Sequence, residues 1–401
     1  MNQNFSYIDL FAGCGGLSLG LHNAGWKGLF AIEKSPFAFE TLKFNLIDNK
    51  KHFEWPDWLK PENHDINEVL KNHAKDLRGL RGTVDLVAGG PPCQGFSMAG
   101  KRVEEDMRNQ LVYSYINFIE LVRPKMILFE NVKGFTYAFN KKGENDAVPY
   151  SKIVIDKLNE LGYCVKPHII DFSKYGVPQR RKRFILVGSL NGKASDFEPT
   201  IDKLKQVYLE EKGIKDTTTI GDAISDLLSS NGTVKTPDRK SFKSGFYGKS
   251  NSNFQTLMRG DYTQKNTIPD SHSFANHNGE TVNVFSSIIE YYPIKGKRIA
   301  NKEREHWKIK KRGITLLDSK QISPTLTTHP DDYIHYSEPR ILTVREYARI
   351  QTFPDWYEIK EKYTTGGQMR KVEVPRYTQI GNAIPPLFAE LAGLALKEII
   401  L

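Results

Sequence analysis

A chain of 401 residues that is 39% hydrophobic and 26% charged can bury a core without covalent staples and predicts roughly one to three domains. Three cysteines, at positions 14, 93 and 164, are too few and too scattered for a disulfide framework or a zinc site, so no metal is expected. No run of about 18 apolar residues offers a membrane span, and the net charge of +10 leaves two readings open, a Lys-rich composition or a polyanionic partner such as nucleic acid.

The start, "MNQNFSYIDLFAGCGG", lacks the basic and apolar regions of a signal peptide, which predicts a reducing, cytoplasmic setting. "SYIDLF" reads as a strand, followed by the turn "AGCGG" and by "LSLGLHNAGW", whose apolar spacing is helical. "KGLFAIE" reads as a second strand and "FAFETLKFNL" as a helix. "TVDLVAGG" is a third strand, "NQLVYSYINFIELVRP" an amphipathic helix stopped by Pro124, and "KMILFENV" a further strand. "YSKIVIDKLNELGY" is a helix with Gly162 as its C-cap signal, and "FILVG" a strand. The alternation predicts an α/β fold: a doubly wound, mostly parallel sheet with helices on both faces and ligands at the carboxyl ends of its strands. From about residue 191 the text becomes polar, irregular and rich in Gly, Ser and Asn, which predicts a smaller, loop-rich domain without a deep core of its own. Regular signal returns with "VREYARIQTFPD" and with the apolar-periodic helix "LFAELAGLALKEIIL".

The glycines in "DLFAGCGGLSLGL" stand between a strand and a helix, where a tight turn and a close backbone approach to a ligand are needed. Glu33 ends the second strand, where an acid suits ribose hydroxyls. Position 18 is Ser, so the spacing is not the dinucleotide G-x-G-x-x-G; a nucleoside cofactor without a pyrophosphate, such as S-adenosylmethionine, fits better. A plain structural turn is the alternative. Cys14 has no basic or His neighbour and reads as a packed small side chain.

"DLVAGGPPCQGFS" sets Cys93 just past a strand's carboxyl end, with prolines, among them Pro92, fixing the backbone before it. Nearby N–H groups and cations such as Lys101 and Arg102 can favour the thiolate; a buried, inert thiol is the competing reading. Glu130 ends another strand. In "YGVPQRRKRFILVG", alternation puts Arg181 and Arg183 on one face, which suits a phosphate or a carbonyl oxygen, or merely solvent.

In order along the chain, "FAGCGG", "GGPPCQGFS", "ENV", "QRRKR", "RILTVREYARIQTFPD" and "YTQIGNAIPP" resemble the motifs of the C5-cytosine DNA methyltransferase family. The resemblance covers about the first 190 residues and the last 60 to 70. The stretch between matches no named motif and lies where that family varies its target recognition. The resemblance implies a Rossmann-like S-adenosylmethionine-binding catalytic domain of residues 1–190 plus 376–401. A target-recognition domain of residues 191–375 would face it across a DNA-sized cleft. It implies that Cys93, aimed by Pro92, attacks C6 of a flipped-out cytosine as thiolate. Glu130 would bond the N3/N4 edge, and Arg181 would contact O2 and help hold Glu130, with Arg183 in support. Phe11 would pack on the adenine, and the backbone of Ala12, Gly13, Cys14, Gly15, Gly16 and Leu17 would hold the methionine part. Glu33 would take the ribose, with Lys34 where many members carry an aromatic. Asp65, beside Ile66, would meet the adenine amine; Gly90, Leu111, Asn382 and Ala383 complete the cofactor site. The chemistry is coherent: C5 of cytosine is a poor nucleophile until a thiolate adds at C6, and a stacked base is out of reach until it is flipped.

The basic charge concentrates in "KGKRIANKEREHWKIKKRG", residues 295–313, as expected for phosphate contacts to duplex DNA or for a solvated basic helix. "RILTVREYARIQTFPD" is assigned a packing role. Expected partners are double-stranded DNA and a restriction endonuclease acting separately, with no membrane. The chain is expected to be a monomer, nucleoid-associated if prokaryotic. Two other readings stay open: a tRNA cytosine-C5 methyltransferase, and a non-enzymatic DNA-binding regulator on the same scaffold.

Overall fold

The computed structural model describes residues 5–92, 107–138, 148–262, 267–309, 311, 313–364, 369 and 372–401. They form two compact units. The first comprises Met1–Asp171, Lys182–Gln206 and Phe388–Leu401; the second comprises Phe172–Arg181 and Val207–Leu387. No helix among the described residues is long and apolar enough to cross a membrane.

In chain order the first unit holds β1 (Ser6–Leu10), α1 (Gly16–Asn23), β2 (Lys27–Ile32), α2 (Pro36–Leu42), α3 (Ile66–Asn72), α4 (Ala74–Gly79), β3 (Leu86–Gly89), α5 (Met107–Val122), β4 (Met126–Val132), α6 (Tyr150–Glu160), β5 (Cys164–Asp171), β6 (Lys182–Ser189) and the start of α7 (Phe197–Glu211). One sheet has the order β2-β1-β3-β4-β6-β5. Its first four strands are parallel, and β6 runs antiparallel to both neighbours. The helical crossovers impose the parallel part. Only residues 172–181 join β5 to β6, too short a link for a crossover helix, so β6 returns antiparallel.

The strand β5 is absent from the sequence reading. Its "CVKPHIID" is mostly exposed and carries Pro167, which an edge strand tolerates and a central one does not. By contrast Tyr7, Ile8, Asp9 and Leu10 of β1 are all buried, as expected for a strand covered on both faces. Ile8, Leu10, Phe30, Val87, Ile127 and Phe129 pack with Tyr115, Phe118 and Ile119 of α5. Register aligns Leu10 with Ile32 and with Gly89, and Gly89 with Phe129. The carboxyl ends of four strands therefore share one edge.

The second unit holds α8 (Ile220–Ile224), β7 (Thr233–Lys235), β8 (Lys243–Gly245), α9 (Asn253–Arg259), α10 (Gly279–Tyr291), α11 (Asn301–His306), β9 (Thr315–Leu316), β10 (Tyr333–Ile334), α12 (Val344–Ile350) and α13 (Arg376–Asn382). The last helix, α14 (Pro386–Ile400), belongs to the first unit from Phe388 onward. There it docks on the α1–β2 link, where Trp26 Nε1 donates to the Gly393 carbonyl at 2.9 Å.

The polar texture after residue 191 predicted no deep core, and here the structure differs. An apolar cluster gathers Phe285, Ile288, Ile299, Ile314, Leu316 and Ile334. Beside it lies a buried ionic network. All of α12 is buried, and Arg349 grips Asp355 with Nε–Oδ1 and Nη2–Oδ2 distances of 2.6 Å each while Nη2 also reaches Asp226 at 3.2 Å. Arg340 clasps Glu346 through two bonds of 2.8 and 2.7 Å, and Glu346 also accepts from the Thr343 N–H in a capping box. Polar residues build this core because their charges are paired bidentately. The motif "RILTVREYARIQTFPD" supplies the cations, in keeping with its expected packing role.

Candidate active site

The turn after β1 has three consecutive alternate residues in the left-handed region: Phe11 at φ 59°, Gly13 at 57° and Gly15 at 87°. Glycine adopts this freely; Phe11 does so under strain, of the kind that persists where the surroundings over-determine it. Ala12 N donates to the Ile32 carbonyl, pinning the turn to β2, and Gly15 N donates to the Ala12 carbonyl. Glu33 then receives Gly13 N on Oε2 at 2.9 Å and Ser35 N on Oε1 at 2.7 Å. Burial pushes its carboxyl up, against the pull of those N–H groups.

His64 N and Asn63 Nδ2 donate to the carbonyls of Glu33 and Lys34, which brings Asp65 alongside. Asp65 caps α3 through Asn67 N and pairs with Lys34 Nζ at 2.8 Å. Burial works against ionisation of Asp65, but Lys34 and Asn67 hold it below the usual carboxylate range. Gly13, Glu33, Lys34 and Asp65 are thus brought together. Ala12, Cys14, Gly15, Gly16, Leu17 and Ile66 are buried beneath and beside the turn. Cys14 is inert, its thiol pushed up to about 12 by burial. Phe11 is half-buried, and Leu111 is half-buried on α5 against the core. Asn382 and Ala383 end α13 in the second unit, Asn382 exposed and Ala383 as the C-cap.

One residue that sequence reasoning missed lies under the turn. Asp9 of β1 is buried and accepts from Ser18 Oγ of α1 at 2.5 Å; its Oδ1 is buried without a hydrogen-bond partner. Burial pushes the Asp9 carboxyl up to about 7. The available signal was Ser18, standing where a dinucleotide turn has its third glycine. The residues present fit S-adenosylmethionine. A Cβ at Gly13 would meet nothing within 4 Å, so the turn faces open space. Glu33 retains lone pairs for hydroxyls, and no Lys or Arg between Phe5 and Trp26 waits for a pyrophosphate.

At the ends of β3 and β4 the backbone is crowded for a reason. A Cβ at Gly90 would lie 2.7 Å from the Glu130 carbonyl and 2.8 Å from Glu130 Oε2, so only glycine lets these strand ends approach. Asn131 Nδ2 donates to the Pro91 carbonyl at 3.2 Å, a pin the sequence reading did not foresee. Pro91 is buried and Pro92 exposed. Cys93 lies outside the described residues.

Across β4 and β6, Arg183 Nε meets Glu130 Oε1 at 2.9 Å. The guanidinium holding Glu130 is therefore Arg183, where the sequence reading gave that task first to Arg181. Arg181 is buried in the second unit and donates to the carbonyls of Gly381 at 3.0 Å and Leu326 at 3.5 Å. Alternation would keep the two side by side, but the chain passes from one unit to the other between them.

Comparison with known proteins decides the family. The model of the C-5 cytosine-specific DNA methylases matches residues 5–398. The chain belongs to this family. It is a DNA methylase that transfers a methyl group from S-adenosylmethionine to C5 of cytosine. It is 31% identical over 398 residues to the Type II methyltransferase M.XorII of Xanthomonas oryzae pv. oryzae, covering 96% of this chain and 83% of that protein. It is likewise 31% identical to M.PspPI of Psychrobacter sp., covering 98% and 79%. Among solved structures, an E. coli prophage-encoded protein described as a DNA modification methyltransferase has a TM-score of 0.64 at 24% identity over 99% of both chains. The S. pombe Dnmt2 methyltransferase has 0.55 at 17% over 99% and 100%. These two likenesses show the methylase's fold.

Proposed function

We propose that this methylase acts on a cytosine flipped out of duplex DNA within a specific sequence, through a covalent bond from Cys93 to C6. The observation that carries the reading is the Glu130–Arg183 pair pressed against Gly90, three residues before Cys93. A nucleophile tethered to that segment and a carboxylate fixed by a guanidinium form the set that covalent activation of cytosine needs.

Cys93 Sγ adds as thiolate to C6, forming the S–C6 bond and moving the C5=C6 pair onto C5, which becomes nucleophilic. Glu130 accepts from the N4 amine and passes a proton to N3, which neutralises the negative charge that develops there. Arg183 fixes the Glu130 carboxylate. We assign to it the O2 contact expected of Arg181, because Arg181 is committed to the Gly381 and Leu326 carbonyls. When bound, S-adenosylmethionine supplies the methyl group as an electrophile. Loss of the C5 proton to water restores the double bond and expels the thiolate. Phe11, Gly13, Glu33 and Asp65 hold the cofactor.

The first unit serves cofactor and chemistry, and the second serves recognition, with the basic segment 295–313 positioning the duplex through phosphates. Its relatives' Type II names support a role in protecting DNA from a separate restriction endonuclease. The reading further takes the methylase as a cytoplasmic monomer. Bisulfite sequencing of DNA from cells expressing the protein tests it: 5-methylcytosine is expected at one recurrent sequence and absent with Cys93→Ser. Methylation scattered without sequence preference, or persisting in that variant, contradicts it.

A further inference from the structure

The chain's positive charge is not spread evenly. Residues 291–313 hold nine Lys and Arg against two Glu, a net +7 out of the chain's +10. The base of this segment is fixed. Gly296 N donates to the Leu316 carbonyl and Ile299 N to that of Ile314, with Arg298 bridging to Thr315. Ile299 is buried in the apolar cluster, and Trp307 and Ile309 pack against it. Some cations serve this scaffold. Lys311 pairs with Asp331 and Asp332, and Arg304 donates to the Lys311 carbonyl and to Asn301 Oδ1. Lys297, Lys302 and Lys308 are different: all are exposed, and none has an acidic partner among the described residues.

Next to these lysines, two large apolar side chains point away from the core. Ile288 and Tyr292 fill the cluster, whereas Tyr291, at the end of α10, is 64% exposed and Ile294 is 50% exposed. Exposed apolar residues scattered singly need no explanation. Two of them within four residues, at the mouth of the chain's most basic segment, match the division of labour on DNA. Cations hold phosphates and carry no sequence information. Apolar and aromatic groups touch thymine methyls and base edges, or wedge between base steps.

We propose that Tyr291 and Ile294 are sequence-reading residues of this methylase, contacting bases of duplex DNA while Lys297 and Lys302 hold the flanking phosphates. The proposal rests on the reading of segment 295–313 as the phosphate-binding element, and its test keeps the two apart. The full-length wild type, a Tyr291→Ala/Ile294→Ala variant and a Lys297→Gln/Lys302→Gln variant are compared in two ways. One is the methylation profile over a duplex library, read by bisulfite sequencing. The other is affinity for a fixed duplex as a function of salt. All four positions are exposed, so thermal unfolding should be unchanged and serves as the control.

The lysine variant should lower the slope of log affinity against log salt by about 1.8, near 0.9 per phosphate, with the site preference intact. The Tyr291/Ile294 variant should keep the slope and lose about 10- to 100-fold of discrimination at one or two base positions. Full discrimination in the Tyr291/Ile294 variant, with a lowered slope in the lysine variant, overturns the proposal and leaves the phosphate reading standing. An unchanged slope in the lysine variant overturns both.

Discussion

Replacing Asp9 by Asn should make the methylase more stable, and more so as pH rises. Asp9 lies on β1 between hydrophobic neighbours, with Ser18 Oγ donating to Oδ2 and nothing on Oδ1. The groups that act on it are the Glu33 carboxylate just past the end of β2, the Ser18 hydroxyl on α1, and the hydroxyls of Tyr7 on β1 and Tyr115 on α5; no cation is paired with it among the described residues. Burial raises its carboxyl from 3.8 to about 7, Ser18 pulls it down and Glu33 pushes it up. A carboxyl raised on folding favours the folded state only while protonated. Its contribution is full below the unfolded value, is lost as pH climbs, and is gone above about 7. At about 1.36 kcal/mol per unit, the wild type at pH 8 carries a penalty on the order of 4 kcal/mol, against less than half of that at pH 5. Asn cannot ionise and still offers Ser18 an acceptor. Thermal unfolding of both proteins from pH 5 to 8 should show the variant's advantage growing with pH, by several degrees for a unit of this size. Parallel curves, or an advantage that shrinks toward pH 8, would refute the reasoning.

Arg349→Met should destabilise the second unit by about 1–3 kcal/mol, because Asp226 and Asp355 would lose the cation they share while each keeps a second guanidinium, Arg259 and Arg345; denaturant unfolding measures it. Gly90→Ala should fold but lose at least about tenfold in methyl transfer, since its Cβ would collide with the Glu130 carboxylate and carbonyl; near-normal turnover would contradict the crowding. Glu33→Gln keeps an acceptor for Gly13 N but removes the charge, and should weaken S-adenosylmethionine binding by about 10- to 100-fold in calorimetry, with thermal stability held or raised because burial disfavours the charge.

The parts of this fold legible in the sequence are those where burial follows chain position. Apolar runs marked β1 to β4 and β6, and acids at strand ends marked Glu33 and Glu130, because a sheet covered by helices leaves polar side chains useful only at its edge. What escaped obeys other physics. Pro167 and alternating polar residues disguised β5, which an edge permits. Helix α7 has apolar Phe197, Ile201, Tyr208 and Leu209 at helical spacing, a pattern present in the text but overshadowed by its charged neighbours. In the second unit, what Arg345 and Arg349 pack against could not be read locally, because Asp226 and Asp270 arrive from far along the chain and Asp355 folds back from the end of the same motif. Asp9 was hidden for a related reason: a carboxylate inside an apolar strand reads as an interruption, and only the neighbouring helix reveals its partner.

The central claim is a covalent bond between Cys93 and the target base. Incubating the methylase with S-adenosylmethionine and duplex DNA bearing 5-fluorocytosine at its target site tests it most directly, because fluorine cannot leave as the C5 proton does. A denaturation-resistant protein–DNA adduct, with the DNA mapped to Cys93 by mass spectrometry and absent from Cys93→Ser, is the predicted result. Methylation of the ordinary duplex by the same preparation, with no adduct on the fluorinated one, would contradict the account.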